Sequence, residues 1–229
     1  MGLLTEFTKN ENFMKKLTSL TLFCLGLISS MSLIAAPVQI KMETNRGNII
    51  LELYPEKSPI SVGNFVKYVN DGFYDGTVFH RVISSFMIQG GGFDEDLNRK
   101  TTREKIQNEA SNGLKNTRGT ISMVRLPDPH SATSQFFINV QDNPALDYTG
   151  DQTGRTWGYA VFGKVIEGLD VVDEIRFTQT GPNPPFPGDV PIKTMLIKKM
   201  TVINKMTDDS KKEKPEVNTN KPESAADVK

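Results

Sequence analysis

The stretch Phe79-His80-Arg81-Val82-Ile83-Ser84-Ser85-Phe86-Met87-Ile88-Gln89-Gly90-Gly91 decides the fold. Apolar residues crowd both of its halves, and Ser84-Ser85 divides them. β-Branched and aromatic residues enrich strands, while small polar residues enrich turns. The segment therefore reads as two short strands, near Val78 to Val82 and Phe86 to Gly90. The same pattern continues on either side. Upstream, Val38-Gln39-Ile40-Lys41-Met42-Glu43 alternates apolar and polar, the period of a half-buried strand. Asn45-Arg46-Gly47 is a turn signal, and Asn48 to Tyr54 alternates again, so the pair reads as a hairpin. Downstream, strands are expected near Thr120 to Arg125, Gln135 to Val140, Ala160 to Val165 and Ile192 to Val202.

Two segments change period. Ser58-Pro59 opens a helix, with Ser at the N-cap and Pro at the first helical position. Val62, Phe65, Val66 and Val69 then follow at 3.6-residue spacing, and Gly72 stops the run. A second helix is expected from Leu169 to Arg176, with Leu169, Val172 and Ile175 on one face. Many antiparallel strands with only two helices make the fold class mainly β. A closed barrel suits them, because closure removes exposed edges.

The ends of the 229-residue chain read differently. Lys15-Lys16, the apolar run from Leu17 to Leu27 and the small residues up to Ala35-Ala36 have the order of a secretory signal peptide. Residues 1–36 are expected to be that leader. Met14 is a plausible start, which would make residues 1–13 an upstream extension. The expected location is periplasmic, with secretion or membrane anchoring as alternatives. A membrane is involved only if the leader stays uncleaved or Cys24 is lipidated. Residues 205–229 carry charges and no aromatic residue, so they cannot bury enough surface to offset ordering entropy, and a disordered tail is expected. Residues 37–204 remain as one domain.

Composition narrows the function. The chain has 27 Lys+Arg against 27 Asp+Glu. Setting aside three basic and two acidic groups in the leader, and six of each in the tail, leaves 18 against 19. A nucleic-acid binder that neutralises phosphates needs a basic excess, so none is expected as a partner. The single Cys, Cys24, excludes an internal disulfide framework and a multi-Cys zinc site. There is no G-x-S-x-G, P-loop or H-E-x-x-H motif. No metal and no cofactor is expected.

Three blocks go further than periodicity. The Phe79-to-Gly91 stretch closely resembles the signature of the cyclophilin-type peptidyl-prolyl isomerases. Gly119-Thr120-Ile121-Ser122-Met123 with Ser134-Gln135-Phe136-Phe137-Ile138 resembles the other half of that family's active site. Ala160-Val161-Phe162-Gly163-Lys164-Val165 resembles its late strand. They come in family order across about residues 38 to 203. The resemblance implies an eight-stranded antiparallel barrel capped by two helices, in agreement with the strand count.

The implied reaction explains the missing motifs. Rotation about an X-Pro bond faces a barrier of about 18–20 kcal/mol, because the nitrogen lone pair is delocalised into the carbonyl. At the twisted midpoint the nitrogen recovers that pair and can accept a hydrogen bond. A donor aimed there favours the transition state over either ground state. The resemblance assigns this donor to Arg81, with Gln89 as the residue that holds it. Gln135 is expected to bond the substrate backbone. Phe86, Met87, Phe137 and Leu146 are expected to form the proline pocket. The main chain at Val124 and Arg125 is expected to hold a substrate carbonyl. The expected partners are proline-containing unfolded or partly folded polypeptides, met by a monomer that assists folding of exported proteins. A peptide-binding chaperone with incidental turnover is the alternative.

Two positions depart from the family pattern. Asn143-Pro144-Ala145-Leu146-Asp147 puts Ala145 where many members carry a Trp associated with cyclosporin binding, so weak cyclosporin binding is expected. Trp157 lies in an apparent insertion downstream and does not replace it. Tyr159 stands where a His commonly lines the pocket. His80 and His130 read as structural or loop residues.

Overall fold

Alternation builds the first wall of the structure. In β1 (Val38–Thr44) the side chains of Ile40 and Met42 point inward, and in β2 (Asn48–Leu53) those of Ile49, Leu51 and Leu53 do the same. All five are fully buried. The computed structural model describes residues 37–204. The expected leader with Cys24, and the expected disordered tail, lie outside the described residues.

The remaining strands are β3 (Thr77–Ile83), β4 (Met87–Asp94), β5 (Thr120–Met123), β6 (Phe136–Asn139), β7 (Val161–Glu167), β8 (Thr180–Asn183), β9 (Phe186–Pro191) and β10 (Leu196–Asn204). Eight of them close into a barrel in the order β1-β10-β3-β4-β6-β5-β7-β2. Every junction is antiparallel. The mainly-β closed barrel with two helices is the expected architecture.

Helix α1 (Pro59–Asn70) buries Val62, Phe65, Tyr68 and Val69 in the barrel core. Phe65 meets Phe136 edge-on, with ring centres 5.5 Å apart, and lies 5.2 Å from Phe162. Such aromatic pairs add about 0.5–1.5 kcal/mol each beyond the area they bury. The helix ends in a Schellman motif. Gly72 adopts φ +66°, its N–H donates to Val69 O, and Phe73 N–H donates to Tyr68 O at 3.0 Å. The Tyr68 and Phe73 rings, 4.6 Å apart, close the motif with its usual apolar contact. Helix α2 (Leu169–Arg176) contributes Val172 and Ile175 to the same core.

The start of α1 differs from the expectation. Ser58 stands at the N-cap, but its hydroxyl does not cap. It donates to Val161 O at 2.8 Å and accepts from Asn112 Nδ2 at 2.7 Å. The free N–H groups of Ile60 and Ser61 instead donate to the Glu109 carboxylate, at 2.9 and 2.7 Å. A carboxylate there satisfies two orphan donors and complements the helix dipole. The cap comes from 48 positions away in sequence, so no local pattern could reveal it.

The last strand also differs. It begins at Leu196 and not at Ile192. Ile192 is exposed, and its N–H donates to Gln179 O at the base of an extra hairpin. That hairpin, β8 with β9, reads Thr-Gly-Pro-Asn and Phe-Pro-Gly-Asp-Val-Pro. Gly and Pro are poor strand formers, so the segment reads as loop. Packing supplies what propensity lacks. Phe186 of β9 lies 5.4 Å from the His80 ring and 5.0 Å from Phe93, which seats the hairpin against β3.

Candidate active site

The site begins with a fault in β3. Phe79 pairs with Gly90, but Arg81 pairs with Gln89, so two steps on β3 face one on β4. This bulge changes the parity of the strand. Phe79 and Val82 both enter the core, although they are three apart. Arg81 is thereby turned onto the outer wall, and bulges commonly re-aim a side chain in this way beside functional sites.

Three residues then line up across the sheet. Arg81 faces Gln89, and Gln89 faces Phe137. Their neighbours Ile88, Phe136 and Ile138 belong to the core, so the row stands on the opposite face. Met87, two residues before Gln89, shares that face, and Met87 and Phe137 are nonetheless buried. Phe86 enters through the preceding turn, where its carbonyl accepts from Asn143 Nδ2 at 2.8 Å and Val140 N–H at 3.2 Å.

The rest of the site is carried by loops. Gln135 precedes β6, and its Oε1 accepts from Gln89 Nε2 at 2.8 Å. This revises the expected partner of Gln89: its amide is bonded to Gln135, and the acidic neighbour of Arg81 is Asp189 on β9, with Nε 3.5 Å from Oδ2. Val124 N–H donates to Gln135 O, which ties the expected backbone-binding segment to the same strand end. Leu146 sits in a short 3-10 turn, Pro144–Leu146, and its carbonyl accepts from Tyr159 N–H at 2.9 Å. The Tyr159 ring meets Phe137 edge-on at 5.7 Å.

Arg125 has a task beyond its main chain. Its guanidinium carbon lies 4.6 Å from the centre of the Tyr159 ring. Nε donates to Gly158 O at 2.8 Å, and the terminal nitrogens donate to Leu126 O and Gly154 O. A stacked guanidinium with three carbonyl partners fixes one ring orientation. Beside Gln135, Val124 and Arg125 runs an open groove of about 240 Å³, bordered also by Arg99, Arg103 and Lys105.

Comparison with known proteins agrees with this geometry. Residues 39–202 match the family model described as Cyclophilin type peptidyl-prolyl cis-trans isomerase/CLD. The chain belongs to this family. It is 49% identical over 163 residues to peptidyl-prolyl cis-trans isomerase B of Escherichia coli, covering 71% of this chain and 98% of that protein. It is 57% identical over 154 residues to a peptidyl-prolyl cis-trans isomerase of Acinetobacter baylyi, covering 67% and 79%. A Cryptosporidium parvum cyclophilin, crystallised in the presence of the dipeptide Ala-Pro, superposes with a TM-score of 0.58 at 26% identity, covering 73% and 99%. The protein is accordingly a peptidyl-prolyl cis-trans isomerase.

A buried asparagine network holds the expected pocket side of this cyclophilin in place. Ser122 Oγ and Asn139 Nδ2 both donate to Asn116 Oδ1, at 2.8 and 3.2 Å. Asn116 Nδ2 reaches Leu146 O, Asp147 Oδ1 and Tyr159 O. Asn143 Nδ2 joins Asn139 Oδ1 at 2.7 Å. One network thus sets the backbone at Phe86, Leu146 and Tyr159 together. The sequence reading missed Asn116, Asn139 and Asn143, and it also missed Asp189. A buried amide has no periodic signature, and only Asn143-Pro144 carries even a turn signal.

The two histidines and Trp157 are occupied elsewhere. His80 is 2% exposed, packs 4.6 Å from Phe93, and its Nδ1 has no hydrogen-bond partner among the described residues. Burial disfavours its charged form and lowers its pKa to about 4. His130 Nδ1 accepts from Asn108 N–H, and its ring meets Trp157 edge-on at 4.8 Å. Trp157 also packs on Tyr148, 5.8 Å away, and Ala145 is exposed. Among the described residues, no cluster of three or more His, Cys, Asp or Glu is placed to hold a metal ion.

Proposed function

We propose that this cyclophilin acts in the periplasm, accelerates X-Pro rotation in exported unfolded or partly folded polypeptides, and so assists their folding. Arg81 is the donor to the twisted proline nitrogen. The proline ring is held by Phe86, Met87, Phe137 and Leu146, with Tyr159 at the pocket's far side. Gln135 and the main chain of Val124 and Arg125 hold the peptide backbone.

One observation carries this reading: the row Arg81, Gln89 and Phe137 on three adjacent strands. It sets a charged donor and an apolar ring on the same wall with one residue between them. Neighbouring strands lie about 4.8 Å apart, so the outer two are about 10 Å apart, a span that a proline and its flanking peptide bonds can bridge. Arg stays charged at all working pH values and presents its donors in a rigid fork. The Ala-Pro dipeptide named for the Cryptosporidium relative supports a proline-containing peptide as ligand. The leader-like residues 1–36 support export.

The test is a proline-isomerisation assay on a short X-Pro peptide, wild type against Arg81→Ala. A lost hydrogen bond from a charged donor is worth about 1.5–3 kcal/mol, a fall of roughly 10- to 150-fold. Equal rates would remove Arg81 from the mechanism. Mass spectrometry of the mature N-terminus tests leader cleavage separately, since an intact residue 1 or 14 would contradict a free periplasmic protein.

A further inference from the structure

We infer that Asp189 is a positioning residue for Arg81, and that the β8–β9 hairpin exists in part to deliver it. This rests on the catalytic reading of Arg81 given above. Asp189 Oδ2 lies 3.5 Å from Arg81 Nε, and it is the one acidic partner of Arg81 among the described residues. An arginine gripped at Nε keeps both terminal nitrogens for another ligand. Without that grip, a side chain with four rotatable bonds on an open wall samples many orientations, each a departure from the productive one.

The hairpin is built to hold the carboxylate there. Its register runs Gly181 to Val190 and then Asn183 to Phe186, so β9 carries surplus residues between these pairs. Asp189 lies within the surplus and has φ +62°, a left-handed conformation that Asp and Asn tolerate better than most side chains. The residues on either side of the bulge are anchored. Phe186 packs on His80 and Phe93, and Val190 is buried. His80 is the immediate neighbour of Arg81, so the hairpin docks on the same bulge that turns Arg81 outward. Both sides of the ion pair are therefore displayed by irregular backbone held from beneath.

The experiment compares wild type, Asp189→Asn, Arg81→Ala and the double variant on an uncharged X-Pro peptide. Asn keeps the shape and the tolerance of positive φ, so Asp189→Asn removes the charge alone. An exposed ion pair of this kind supplies about a two- to fivefold effect. Asp189→Asn is expected to lower kcat/KM by that factor with an unchanged melting temperature. The substitution is expected to have no further effect in the Arg81→Ala background. In ¹⁵N-labelled protein the Arg81 Nε–H resonance is expected to shift on Asp189→Asn. An unshifted resonance overturns the inference, as does an equal loss of rate in both backgrounds. If Arg81→Ala is impaired while Asp189→Asn matches wild type, the inference fails and the role of Arg81 stands. If Arg81→Ala matches wild type, both fail.

Discussion

Acid is expected to loosen this barrel through His80. The folded protein holds that imidazole neutral between Phe93 and Phe186, with a pKa of about 4 set by burial. In the unfolded chain a histidine takes up its proton near pH 6.5. Between these values the unfolded state binds a proton that the folded state refuses, so stability falls as pH falls. The contribution is fully present above about pH 6.5 and is lost progressively toward pH 4. Each pH unit of that gap is worth about 1.4 kcal/mol, which makes the full loss about 3 kcal/mol, with about 2 kcal/mol gone by pH 5. For a domain with a net stability of about 5–15 kcal/mol this is a large fraction. The assay is urea unfolding followed by Trp157 fluorescence at several pH values, for wild type and His80→Phe. Phe preserves the aromatic contacts and removes the titration, while the loss of the imidazole's bond to the Val78 backbone shifts stability by the same amount at every pH and so leaves the pH dependence to report the titration. His130 and every carboxylate are common to both proteins and cancel in the difference. Wild type should lose stability relative to the variant as pH drops from about 7 to about 5. Parallel curves over that range would refute the reasoning.

Other substitutions probe the site and its supports. A Cβ on Gly92 would lie 2.6 Å from Gln135 Cγ, so Gly92→Ala must displace Gln135 and break its bond to Gln89. Peptide turnover should fall about five- to tenfold in kcat/KM with little change in circular dichroism. Ser58→Ala removes the buried hydroxyl between Val161 and Asn112, and urea unfolding should report a loss of about 1–3 kcal/mol with normal turnover. Cyclosporin titrated into the isomerase assay should inhibit only weakly if, as the family resemblance implies, Ala145 replaces a Trp associated with cyclosporin binding; inhibition in the nanomolar range would contradict this.

Much of the barrel was legible because its residues obey short rules. Ile40, Met42, Ile49, Leu51 and Leu53 alternate with polar neighbours, and period 2 needs no distant partner to be read. Helix α1 announced itself by Pro59 and by apolar spacing, and Gly72 marked its end. What stayed hidden depends on contacts made across the fold. Glu109 caps α1 from 48 residues beyond Ser61, and the β8–β9 pairing rests on Phe186 finding His80 and Phe93. The candidate site was legible as residue types through family resemblance, and the fold brings Arg81, Gln89, Met87 and Phe137 onto one face. The partners were not legible. Gln89 bonds Gln135 where Arg81 was expected, and Asp189 occupies the place beside Arg81. Side-chain pairing across a bulge depends on which way the extra residue turns the strand, and no spacing rule in the sequence encodes that.

The parity change in β3 also determines what size of molecule can be served. The barrel's inside is filled by Phe65, Phe136, Phe162 and the aliphatic residues around them, so nothing need enter it. Because the bulge puts Arg81 on the outside of that wall, a proline can be presented from the middle of a chain of any length. Both ends of such a chain remain free to lie in solvent or in another part of the same molecule. A one-residue deletion at His80 would restore strict alternation with Arg81 still facing outward, but it would remove the ring on which Phe186 seats the β8–β9 hairpin.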